Sequence, residues 1–179
     1  IHTAPDVTER KCSDFELAGR FKAAGLAGAL IKCHYADTSG RALLLNEQFS
    51  SLGLKFFGGI VLNNFTGGIN PFAVEASAKM NGKIVWFPTM DSKSFLECKK
   101  ADAANGIYIL DADGCLIPEA VKVLETAKKY NMLVGTGHVS AREGMALVRA
   151  ASEIGCQVIL THADNPADFY STEQQVEAV

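Results

Sequence analysis

Short apolar runs recur along the chain. Between them lie segments whose apolar residues return every three or four positions, with Gly, Asn or Pro at the joins. The helical period predicts helices over 13–24, 40–52, 70–80, 119–130, 140–154 and 171–179. In the first, Ser13 stands as an N-cap with Glu16 three residues on, Phe15, Leu17, Ala18 and Phe21 supply an apolar face, and Gly25 ends the run. The apolar runs predict strands over 27–34, 55–62, 83–89, 132–138 and 157–162. From 91 to 106 the pattern lapses into a polar stretch. Beyond it, 107–110 and 115–117 flank Asp111-Ala112-Asp113-Gly114, a turn signal that predicts a hairpin.

Strands alternating with helices imply a parallel sheet covered by helices and joined by right-handed crossovers. A closed (β/α) barrel and an open doubly wound sheet both satisfy that pattern. Neither G-x-G-x-x-G nor G-x-x-x-x-G-K-[ST] occurs, which weakens a dinucleotide or P-loop reading. At 179 residues the chain is expected to form a single domain over 1–179.

Composition narrows the function classes. Apolar residues at 48% and charged residues at 21% are ordinary globular values. A net charge of −3 leaves no basic stripe for a phosphate backbone, so the expected partner is a small-molecule substrate and not nucleic acid. No apolar run approaches the ~20 residues that cross a bilayer, so no membrane is expected, and no signal peptide is visible. The five cysteines are scattered without a C-x-x-C pair, which fits reduced thiols and a cytoplasmic location. A homo-oligomer is left open.

The histidines change the picture. His2, His34, His138 and His162 all lie at or just past the C-terminal end of a predicted strand. In a (β/α) barrel those ends converge on one face, where active sites are built. Imidazole nitrogens suit zinc and related divalent cations. A lone histidine at a strand end is more often a structural residue, but four at equivalent ends favour a shared site. Lys32 and His34 fall on the same side of their strand, within reach of a substrate if that side faces the interior. Asp6 and Asp164 stand just past candidate ligands, where a carboxylate could orient an imidazole or move a proton. Ser140 and Glu143 fit a capping box, with contact to substrate as the alternative.

Several of these segments resemble one family. Ile1-His2-Thr3-Ala4-Pro5-Asp6 looks like the tail of the strand-one H-x-H motif of the amidohydrolase superfamily. Gly135-Thr136-Gly137-His138-Val139-Ser140 and Leu160-Thr161-His162-Ala163-Asp164 are similar to its later strands, each of which gives one metal-binding histidine. Phe57-Gly58-Gly59-Ile60-Val61-Leu62-Asn63 and Val85-Trp86-Phe87-Pro88-Thr89 resemble a branch of that superfamily without an assigned activity. The resemblance implies a TIM-like (β/α) barrel, incomplete in this chain, since such barrels run to ~250 residues.

It also implies a metal-dependent hydrolase with His2, His138 and His162 as ligands of a divalent cation, zinc first and manganese or iron as alternatives. Asp164 and Asp6 would be catalytic, and His34, Lys32, Ser140 and Glu143 substrate-binding. The superfamily's strand-eight aspartate is not seen, and strand four ends Pro88-Thr89-Met90-Asp91 without its bridging lysine. The expected reaction is attack of a cation-activated water on an amide, ester or lactone. The alternatives are a phosphoesterase of the polymerase-and-histidinol-phosphatase type and a non-catalytic ligand-binding barrel.

Overall fold

The computed structural model describes residues 1–179. Helix α1 (Asp14–Ala23) begins as the Ser13/Glu16 spacing dictates, with the serine side chain accepting the Glu16 N–H and the glutamate accepting the Ser13 N–H at 2.7 Å. Strand β1 (Gly28–Leu30) and helix α2 (Ser39–Gln48) follow. The predicted strand over 55–62 is two short ones, β2 (Lys55–Phe57) and β3 (Gly59–Val61), separated by Gly58. Helix α3 (Pro71–Lys79) opens on Pro71 behind an Asn70 cap, as predicted, and leads to β4 (Ile84–Trp86).

The polar stretch holds a short helix that the pattern does not predict, α4 (Lys93–Cys98). Where a hairpin was expected, a single antiparallel bridge joins Leu110 and Leu116, and the Asp111 carboxylate accepts the N–H groups of Asp113 and Cys115 at 3.0 and 2.9 Å. The side chain organises the turn, and the backbone pairs too briefly to make strands. Helix α5 (Pro118–Lys129), β5 (Leu133–Gly135), α6 (Ala141–Ile154), β6 (Val158–Ile159) and α7 (Thr172–Glu177) complete the chain. The last strand covers only two of the six residues predicted for it.

All strand pairings are parallel. β1 pairs with β2, β3 with β4, β4 with β5, and β5 with β6. Because β2 and β3 are halves of one extended run, spatial order equals chain order. Beyond β1, the Ile1 carbonyl accepts the Lys32 N–H at 2.8 Å, which sets residue 1 alongside that edge. The molecule is thus an α/β protein with parallel sheets. No pairing joins β6 back to the first strand, so the ladder formed by these residues is open.

The alternation of side chains in the strands decides where the core sits. Ile60, Val85, Phe87 and Val134 point to one face, where they bury against Val74 of α3, Val123 and Leu124 of α5 and Leu147 of α6. A second cluster packs Leu17 and Ala18 of α1 and Ala42 and Leu45 of α2 on Ile31 and Phe56. The long helices therefore cover the same side of the sheet. The opposite side carries Val61, Ile84 and Trp86, with Leu30 and Leu133 half-buried beside them. No helix is long and apolar enough to cross a membrane.

Candidate functional site

The C-terminal ends of the strands bring the four imidazoles into a row. His2 stacks on His34 with ring centroids 4.7 Å apart, His34 lies 6.2 Å from His138, and His138 lies 5.5 Å from His162. Local backbone explains two of these placements. Gly137 adopts φ +72, and a Cβ there would sit 2.2 Å from the Phe87 carbonyl oxygen, so only glycine lets the chain turn closely over β4 before His138. The His138 N–H then donates to the Pro88 carbonyl at 2.8 Å. His162 itself takes a left-handed conformation, φ 52, which few residues other than Gly, Asn, Asp and His adopt.

Burial makes His2, His34 and His138 neutral bases. Desolvation, reinforced by the charges of Arg10 and Lys32, lowers His2 to about 4. Desolvation and then Lys32 lower His138 to about 4, and the same two causes lower His34 to about 3. Nδ1 of His2 and both ring nitrogens of His138 are buried without any hydrogen-bond partner. Buried polar atoms are normally satisfied, so orphaned nitrogens on neighbouring imidazoles need an explanation.

His34 differs from them. Its Nδ1 lies 2.7 Å from the Thr89 hydroxyl, which also accepts an N–H from Asn63 at 2.9 Å. The contact holds the ring by Nδ1, with donor and acceptor set by the ring's tautomer. Asn63 further donates to the His34 carbonyl at 3.0 Å and accepts the Thr89 N–H at 2.8 Å, so the ends of β1, β3 and β4 are tied by one side chain.

Lys32 lies on the sheet face away from the helices, 8% exposed, with its Nζ 4.6 Å from the centre of the Trp86 ring. Burial lowers its amine to about 8. The ring in turn fills the space over Gly135, where a Cβ would stand 2.4 Å from the indole.

The predicted carboxylates behave differently from the expectation. Asp6 stands close enough to His2 to favour that ring's charged form, but its Oδ2 accepts Arg10 Nε at 2.8 Å. Burial works to raise the Asp6 pKa, and the hydrogen bonds from Arg10 and Thr8 overcome it, holding the group below its usual value. Asp164 lies exposed on the loop after His162 and accepts Gln175 Nε2 at 3.1 Å. Ser140 and Glu143 form the capping box of α6, and Glu143 also accepts the buried Ile109 N–H at 3.0 Å. With its oxygens committed to Ile109 and Ser140, Glu143 is a structural tie and not a free substrate ligand.

Two groups escaped sequence reasoning. Asp168 is 2% exposed with neither oxygen partnered, and burial raises it to about 7. Tyr170, fully enclosed against Gly144, is raised by burial to about 12. Both lie in the loop before α7, where no period marks burial. The Asn63–Thr89 pair was also missed, although a polar residue directly after each apolar run was the available signal.

His2 and His138 suit a borderline divalent cation in kind, being neutral, desolvated imidazoles with unpartnered nitrogens. The imidazoles do not converge, since no three His, Cys, Asp or Glu side chains gather closely enough to hold an ion between them.

Fold and site define an α/β protein with a parallel sheet whose strand ends carry a row of histidines, buried at His138, half-buried at His2 and His34 and exposed at His162. The chain belongs to a family of unknown function, DUF6282, whose model matches residues 1–179. Comparison with curated proteins found no match, and comparison with solved structures found none either.

Proposed function

We propose that this chain is the histidine-bearing part of a metal-dependent hydrolase wound in the manner of a (β/α) barrel and acting on a small-molecule amide, ester or lactone. The observation that carries the reading is the row His2, His34, His138 and His162, in which three ring nitrogens are buried without partners. Strand order equal to chain order, with the long helices on one face, supports the barrel winding, because a doubly wound sheet places helices on both faces.

In this reading His2, His138 and His162 would hold the cation, zinc first. When bound, such an ion lowers the pKa of water toward ~7 and polarises the scissile bond. The chain's own contribution begins with desolvation, which keeps His2 and His138 unprotonated at neutral pH, the form that ligates. Thr89 fixes the His34 ring through Nδ1, which leaves Nε2 as the nitrogen to meet a substrate. Asp6 faces His2 and is itself held by Arg10, which suits a carboxylate that orients an imidazole. Asp164 has no part in this arrangement.

The phosphoesterase alternative calls for further carboxylates among the histidines, and no observation favours it. The test is a panel of amides, esters, lactones and aryl phosphates, run on protein stripped of cations and then reloaded. Hydrolysis of one of the first three classes is expected on reloading, with a loss of more than about 100-fold in His138→Ala. Turnover indifferent to both stripping and His138→Ala would contradict the reading.

A further inference from the structure

Lys32 is a buried cation that no acidic side chain neutralises. It takes part in none of the ion pairs of the molecule. Its Nζ rests over the face of Trp86, 4.6 Å from the ring centre. The groups around it make matters worse, because its charge bears unfavourably on His2, His34 and His138. Asp6, the acid that faces His2, is already bound by Arg10 at 2.8 Å. An ammonium on a largely buried side chain, set among neutral bases with no carboxylate of its own, is a site awaiting an anion.

The surface beside His2, next to α1, carries the same sign. A cavity of about 560 Å³ beside His2 is bordered by Arg10, Lys11 and Arg20 against the single acid Glu9. Clefts lined by one sign of charge concentrate ligands of the other.

We propose that Lys32, resting on Trp86, is the seat of a carboxylate carried by the substrate beside its reacting bond. A single free ammonium matches a monoanion. A phosphate dianion calls for a second free cation or a bidentate guanidinium, and Arg10 is engaged by Asp6. The word substrate rests on the hydrolase reading; the anion seat itself does not.

Trp86 is the only tryptophan of the chain, so its emission reports the occupant of Lys32 directly. Full-length protein, freed of cations by chelation and gel filtration, is titrated at pH 7 and constant ionic strength with acetate, acetamide and inorganic phosphate. Acetate is expected to change the emission saturably while acetamide does not. Lys32→Met, which keeps the stem over the ring and removes the charge, should raise the acetate midpoint by at least about tenfold, and Lys32→Arg should retain the response.

Far-UV circular dichroism of both variants confirms folding, and the acetate-versus-acetamide contrast in the unmutated protein needs no variant at all. No saturable acetate response, an unchanged midpoint in Lys32→Met, or saturation by phosphate at lower concentration than acetate would each overturn the proposal. Because the titration is free of cations, acetate binding in a protein that hydrolyses nothing would retire the hydrolase reading and leave this one standing.

Discussion

Asp168 shows how a single buried group shapes behaviour that no contact list would suggest. Its carboxyl is raised to about 7 by burial, against ~3.9 in an unfolded chain. Between those values the unfolded state releases a proton that the folded state keeps. Stability therefore falls as pH climbs from about 4 to about 7, and the penalty is complete above that. Asp168→Asn is expected to leave urea stability unchanged at pH 4 and to raise it by about 1–2 kcal/mol at pH 8, allowing for solvent screening. Equal effects at both values would refute the assignment.

Backbone makes the second prediction at this scale. Gly137→Ala places a methyl 2.2 Å from the Phe87 carbonyl oxygen at positive φ and should cost more than about 2 kcal/mol. Gly19→Ala, in an open part of α1, should instead stabilise by about 0.5–1 kcal/mol. Thermal midpoints of the two variants moving in the same direction would count against the geometry. Histidines were legible in the sequence because imidazole at a strand end is rare and its chemistry is specific. Lys32 was legible as a neighbour of the site, but its isolation from every carboxylate was not, since that depends on Asp6 choosing Arg10.

Elements were legible where local chemistry and period agreed. Ser13, Asn70, Ser140 and Ser171 all cap the helices that follow them. Ser140→Ala should cost about 1 kcal/mol as a lost cap. Glu143→Gln should cost about 2 kcal/mol or more, because an amide has one acceptor oxygen and cannot accept from both the buried Ile109 N–H and the Ser140 N–H. Denaturant midpoints test both; a stable Glu143→Gln with impaired substrate binding would return Glu143 to the substrate role. Helix α4 was illegible because six residues give less than two turns, too few for a period to show. The hairpin failed for the opposite reason, as the turn signal was real but belonged to the Asp111 side chain. Strand length was overestimated throughout, since apolar runs continue past the paired residues into the buried segments that carry His34 and His138.

On the scale of the whole molecule, alternation of strand and helix predicted a parallel α/β architecture, and that much is present. The choice between winding schemes was not open to sequence, because both use the same alternation. It is the one-sided packing of α1, α2, α3, α5 and α6 that leaves Lys32 and Trp86 on the opposite face, while the C-terminal strand ends gather the histidines. Phe87, fully buried beneath these helices, anchors that arrangement, and Phe87→Ala should cost about 3–5 kcal/mol in chemical denaturation. The account as a whole depends on a cation among the imidazoles. Protein loaded with zinc, gel-filtered and analysed by atomic emission should retain about one ion per chain, and His138→Ala should lose most of it. No retained ion in the unmutated protein, or equal retention in the variant, would contradict the account.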